Sequence, residues 1–185
     1  SLFTGFTVYA ADTETPDSEE STEETIIYGD GFIYNKETFL LTITGSGEMA
    51  DFSEWNDIYA PWSGYSKEAK KVIISDGITS IGDYAFADFI ALKEAEIPNT
   101  VKRLGMHSFS GSALSELNIP ASVEVIDDMP FVNCDYMTRY NVAEENQYFC
   151  SVDGVLFSKD KSVLIAYPLA KVEEDLTYTI PETVT

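Results

Sequence analysis

Apolar positions along this chain recur in a frame much longer than a helical turn or a strand pleat. Ala69-x-x-Val72-x-Ile74, Leu92-x-x-Ala95-x-Ile97, Leu114-x-x-Leu117-x-Ile119 and Met137-x-x-Tyr140-x-Val142 share one pattern, and successive frames begin 23, 22 and 23 residues apart. Each of the first three is followed by a second apolar pair, Ile78/Ile81, Val101/Leu104 and Val123/Ile126. A phenylalanine comes five residues later each time: Phe86, Phe109 and Phe131. Self-similarity at this period predicts a solenoid, in which every turn buries its apolar edge only against its neighbours.

The residue types outline a single turn. Alternation in Glu94-Ala95-Glu96-Ile97 and Glu116-Leu117-Asn118-Ile119 predicts short strands with one face inward and one in solvent. Pro98 and Pro120 lack an N–H and close those strands. Gly82 and Gly105 suit a corner with an unusual backbone angle, although Asp127 holds that place in the third turn. Tyr84–Phe86 and His107–Phe109 predict short helical or 3₁₀ segments. Stacked turns pair their strands into a parallel ladder at about 4.8 Å spacing. The expected fold is therefore an α/β solenoid with repeats of 22–23 residues.

Two stretches depart from the frame. Residues 26–71 read as an N-terminal cap, with a β-hairpin of Phe32–Tyr34 and Phe39–Thr44 and a short helix around Ser66–Lys70. Within it Trp62 is expected to plug the open core of the first turn. Repeats then fill residues 72–185, interrupted by a β-hairpin inserted at about 146–168, with strands Val155–Phe157 and Val163–Tyr167 around Ser158–Ser162. Ile180-Pro181-Glu182-Thr183-Val184-Thr185 starts a further frame, an incomplete repeat that predicts a piece of a longer protein.

Charge and composition narrow the function. The chain carries −21, and removing the seven acids of the run Asp12–Thr25 still leaves −14. Nucleic acid and anionic membranes are poor partners for such a surface, because neutralising phosphates takes Lys and Arg. No stretch of sequence reaches the ~18 apolar residues of a membrane span. Residues 1–11 read as the remnant of a secretory signal, with small residues at Ala10-Ala11, and residues 12–25 as an acidic flexible linker. Cys134 and Cys150 are too few for a disulfide framework; Cys134 falls at an inward position, and two separate thiols are the expectation.

Ile97-Pro98-x-Thr100-Val101 and Ile119-Pro120-x-Ser122-Val123, with Tyr84-Ala85-Phe86, Ser108-Phe109 and the run Phe131, Cys134, Met137, resemble the BspA-type bacterial surface leucine-rich repeats. The insertion Asn146–Asp160 and the stretch Leu41–Met49 followed by Ala60-Pro61-Trp62 are similar to elements of that family. Asp88, Ser110-Gly111 and Pro130 depart from its usual pattern. The resemblance covers roughly residues 30–185. It implies a secreted or surface-displayed protein of bacteria or some protists, used in adhesion or partner binding.

No catalytic constellation is legible, and neither a cofactor nor a metal site is expected. His107 is the only histidine and sits at a variable repeat position. Asp127, Asp128 and Asp153 lack the D-x-D-x-D-G spacing of a calcium loop. What remains is surface. The outward strand positions fall into three rows: Lys70, Lys93, Ser115 and Thr138; Lys71, Glu94, Glu116 and Arg139; Ile73, Glu96, Asn118 and Asn141. Four positive and three negative charges there make a mixed face on an acidic molecule. Lys71–Glu94 and Glu116–Arg139 fit either cross-strand pairing or recognition of a host or bacterial surface protein. The rival surface is aromatic, with Trp55 and Tyr65 as the exposed members that would stack on a glycan.

Overall fold

The computed structural model describes residues 25–171 and 177–185. The expected signal remnant (residues 1–11) and all but the last residue of the acidic linker (residues 12–25) lie outside the described residues. The N-terminal part holds β1 (Ile26–Gly29), β2 (Phe32–Asn35), β3 (Leu40–Ile43) and β4 (Gly47–Glu48). Three turns follow with two strands each: β5 (Lys71–Ile74) and β6 (Ile78–Ile81), β7 (Glu94–Glu96) and β8 (Arg103–Leu104), β9 (Glu116–Ile119) and β10 (Val125–Ile126). The fourth frame supplies β11 (Arg139–Val142), and β12 (Phe149–Val152), β13 (Val155–Ser158) and β14 (Leu164–Ala166) come after it.

Strands at the repeat frame pair in parallel, β3 with β5, β5 with β7 and β9 with β11. The register follows the sequence rows: Lys71 opposite Glu94, Ile73 opposite Glu96, Glu116 opposite Arg139, Asn118 opposite Asn141. The ladder is interrupted between β7 and β9. The gap falls where Glu94 and Glu116 share a row, and like charges on facing positions weaken strand pairing. A second parallel ladder, β4-β6-β8-β10, runs through the second apolar pairs; the repeat pattern marks those positions as buried without revealing that they pair. β1, β2 and β3 form an antiparallel meander that joins the first ladder through β3. Its β2–β3 turn is closed by Asn35 Oδ1, which accepts the amides of Glu37 and Thr38 at 3.0 Å.

The α component of the expected fold is corrected. Among the described residues the only helical segments are 3₁₀ turns at Glu54–Asn56 and Ser63–Tyr65. The segments at Tyr84–Phe86 and His107–Phe109 are irregular turns, because Tyr84, His107 and Met129 have φ of 55°, 52° and 51°. A left-handed residue at the same point of every turn breaks any helix there. The role of the corner glycines changes accordingly. A Cβ on Gly82 would lie 1.9 Å from the Ala50 carbonyl oxygen, and one on Gly105 would lie 2.6 Å from the Asp83 amide nitrogen. Close backbone approach between turns, not backbone angle, requires glycine at both positions.

The core is a column of rings. Trp62 stacks on Phe86 at 5.9 Å, Phe86 on Phe109 at 5.3 Å and Phe109 on Phe131 at 6.4 Å. Tyr140 closes the column 5.0 Å from Phe131. Trp62 is buried, and its indole donates a 2.8 Å hydrogen bond to the Ala85 carbonyl, so the polar edge of this end residue is satisfied. The inserted segment is a three-stranded antiparallel sheet, β12-β13-β14, not the single hairpin read from sequence. Its tight turn is Asp153-Gly154, between β12 and β13; the expected pairing of β13 with β14 is also present.

Candidate functional site

The outward face of the first ladder gathers the twelve predicted positions, and the polar groups largely occupy one another. Lys71 pairs with Glu94 at 3.5 Å and also reaches across to Glu96; these bridges hold its ammonium pKa above the ordinary lysine range, with the Glu96 hydrogen bond the largest contribution. Lys70 lies 3.8 Å over the Phe39 ring. Asn141 donates to Glu116 at 3.2 Å and to Asn118 at 3.1 Å, while Thr138 donates to the Ser115 carbonyl at 2.8 Å. These pairs are open to solvent, which screens them and keeps each weak. Lys93, Glu94, Glu96, Ser115, Glu116, Asn118, Thr138 and Arg139 are exposed, and Ile73 and Asn141 are half-buried.

Arg139 differs from its neighbours. Its nearest partner is Glu116, 3.7 Å from Nε, beyond hydrogen-bonding distance. It lines a cavity of about 580 Å³ at the C-terminal end of the face, together with Thr138, Asn141, Asp153, Gly154 and Lys171. Backbone contacts build the walls. Gly154 accepts the Tyr140 amide at 2.8 Å, and Ala170 donates to the Met137 carbonyl at 2.7 Å. Ser151 Oγ donates to the Tyr140 carbonyl at 2.6 Å. A side chain at position 154 would place its Cβ 2.8 Å from that of Arg139, so glycine lets the turn lie against β11. The Asp-Gly pair is the sequence signal for this wall, since it is a strong marker of a two-residue hairpin.

The other side of the turns carries a saturated charge cluster. Arg103 donates to Asp127 at 2.7 Å, Asp83 at 2.6 Å and Asp51 at 3.0 Å. Asp83 also accepts the Met106 amide at 2.9 Å, and Asp51 accepts the Asp83 amide at 2.9 Å. That amide, and then Arg103, hold the Asp51 carboxyl below its usual range. No group of three or more His, Cys, Asp or Glu suited to a metal ion occurs among the described residues.

The alternative aromatic site does not assemble as expected. Trp55 is 88% exposed, but Tyr65 is half-buried. It packs 4.2 Å from the Tyr34 ring and 5.6 Å from Phe32, so its faces serve the N-terminal meander. Burial and the Glu68 carboxylate push the Tyr34 hydroxyl up to about 12. Cys134 is buried and Cys150 half-buried, and both are free thiols. Asn146 is a structural residue that the sequence pattern does not single out. Fully buried, it donates to the Pro120 and Val123 carbonyls at 2.9 Å and accepts the Tyr148 and Phe149 amides at 2.8 Å. No periodic pattern marks it, since the two carbonyls it donates to lie more than twenty residues upstream. Among the described residues no helix is long and apolar enough to cross a membrane.

Stacked short turns with parallel ladders and a continuous inward apolar column define a leucine-rich-repeat solenoid. Residues 64–159 match the BspA type leucine rich repeat region in six copies, and the chain belongs to that family. Its structure is similar to a leucine-rich repeat protein from Eubacterium ventriosum at 24% identity, covering 83% of this chain and 52% of that one with a TM-score of 0.52. It is also similar to a leucine rich cell surface protein from Faecalibacterium prausnitzii, at 18% identity, 89% and 66% coverage and a TM-score of 0.60. The pneumococcal vaccine antigen PcpA matches at 21% identity, 86% and 59% coverage and a TM-score of 0.56. At these identities the likeness establishes the fold. The chain spans about half the length of the first of these structures. No curated protein matches it in sequence.

Proposed function

We propose that this chain is a non-enzymatic module of a secreted or cell-surface bacterial protein and binds a protein partner through the outward face of its first ladder. One observation carries the reading: mostly exposed outward positions lie in register within two strand pairs, Lys71–Ile73 beside Glu94–Glu96 and Glu116–Asn118 beside Arg139–Asn141. The inward column of the same strands packs the core, so the outward residues are free to specify a partner. Neither nucleic acid nor membrane insertion enters the proposal. The test is binding of the full chain to a panel of matrix proteins, bacterial surface proteins and glycans, repeated with the double variant Glu94→Lys/Glu116→Lys. A protein ligand lost in that variant, with the fold retained, is the expected result. Binding that survives there but disappears in Trp55→Ala would instead identify a glycan module, a reading favoured by the exposure of that one ring. Silence across the panel would leave a spacer within a longer surface protein.

A further inference from the structure

We infer that the ladder face has one defined contact centre, the cavity beside Arg139, and that it takes a peptide segment carrying an acidic side chain next to a basic one. The inference rests on the ladder-face reading and specifies where and how a partner would be held. Lys71 and Glu116 on the face, and Asn141 in the cavity wall, already have protein partners. Arg139 makes no hydrogen bond with any described residue; its one ionic partner among them is Glu116, at 3.7 Å. An arginine presents a planar fork of donors that matches a carboxylate with two parallel hydrogen bonds.

The opposite wall supplies the complement. Asp153 lines the same cavity, and its carboxylate has no partner among the described residues. Arg139 and Asp153 therefore face one space without pairing to each other. Lys171 adds a second positive group to the wall. A ligand with one negative and one positive group satisfies both Arg139 and Asp153. A doubly charged phosphate meets repulsion from Asp153. A sugar finds no ring to stack on among the described residues, none of whose aromatics line the cavity. The surrounding charge of −21 attracts basic segments at long range, and the Arg139 fork then selects those with an acid in the right place. The walls are fixed by backbone hydrogen bonds from Tyr140 to Gly154 and from Ala170 to Met137, so little ordering is required on binding.

The test titrates the isotope-labelled full chain with a Gly/Ser-rich decapeptide carrying a central Glu-Lys pair, followed by amide NMR. Gln-Lys and Glu-Gln versions of the peptide, oligogalacturonate and inorganic phosphate are the comparison probes. The Glu-Lys peptide is expected to shift the amides of Thr138, Arg139, Asn141 and Gly154. Arg139→Met should weaken binding by about tenfold, with Arg139→Lys restoring only part, because a point charge replaces a fork. Asp153→Asn should weaken it by about threefold. Shifts confined to Lys93 and Ser115 and indifferent to Arg139→Met would overturn this centre and leave the ladder reading standing. Stronger binding of oligogalacturonate or phosphate than of the peptide would overturn the peptide class. No shift with the peptide, alongside a protein ligand sensitive to Glu94→Lys/Glu116→Lys, would overturn the centre alone; absence of any such ligand would remove the ladder reading with it.

Discussion

Arg103 and Arg139 are the only arginines in the chain, and they stand on opposite ladders of the same solenoid. Arg103, on β8, is held by three carboxylates drawn from three other turns, at 2.6–3.0 Å. Arg139, on β11, approaches one carboxylate at 3.7 Å and lines a cavity. Both are strand residues with outward side chains, so local structure does not separate them. The difference is what the neighbouring turns bring alongside. On the second ladder the corner acids Asp51, Asp83 and Asp127 fall within reach of one guanidinium, which then works as a clamp between turns. On the first ladder the fourth turn is followed by the β12–β13 turn, which leaves a wall and an open space. A stacked repeat can thus spend the same residue on holding turns together or leave it facing solvent.

The sharpest way to break this contrast is to remove a fully saturated polar group. Asn146 uses both amide hydrogens and both oxygen lone pairs, the full capacity of its side chain. Asn146→Ala should lower stability by about 3 kcal/mol, because the four backbone groups it bridges each lose a hydrogen bond; the midpoint of urea unfolding measures it. Arg103→Met comes next. It leaves Asp51, Asp83 and Asp127 clustered without a cation, and a loss of about 2 kcal/mol is expected in the same measurement. The cluster is partly exposed, with side-chain accessibilities of 20–56% for the three acids, which holds the figure below that of a fully buried pair.

Acid titration sharpens the same point with a smaller effect. The Asp51 carboxyl is held below the ordinary aspartate range, first by the Asp83 amide and then by Arg103. A depressed carboxyl stabilises the fold fully above its unfolded pKa, and that contribution is lost as pH falls through the folded value. Stability should therefore drop below about pH 4, and less steeply in Arg103→Met, where part of the depression is gone. Urea midpoints measured across the acid range for both proteins check the sign. The smallest expected effect is that of Arg139→Met on stability, within about 0.5 kcal/mol, since its one ion pair is exposed and long. A loss as large as that of Arg103→Met would show that Arg139 is another structural clamp.

Much of the fold was legible because a solenoid writes its core as a period. Leu92, Leu114 and Met137, and Phe86, Phe109 and Phe131, are buried where the frame placed them, and the rows Lys71–Glu94 and Glu116–Arg139 pair in the expected register. That the expected helical segments are irregular turns was not legible, because the left-handed angle at Tyr84, His107 and Met129 falls on residues with no special chemistry for it. Gly82 and Gly105 were visible as glycines, but the crowding that demands them comes from the preceding turn. Tyr65 read as an exposed aromatic because its ring partners, Phe32 and Tyr34, lie some thirty residues away in the chain.

By itself the sequence determined the repeat, its inward column and the identity of its outward rows, since these depend on residue type at fixed spacing within one turn. Tertiary structure alone decided that the second apolar pairs form their own ladder, that the first ladder breaks between β7 and β9, and that a cavity opens beside Arg139. Each of those depends on contacts between turns. Such contacts are set by how far one backbone stands from the next, a distance that no periodicity within a single turn encodes.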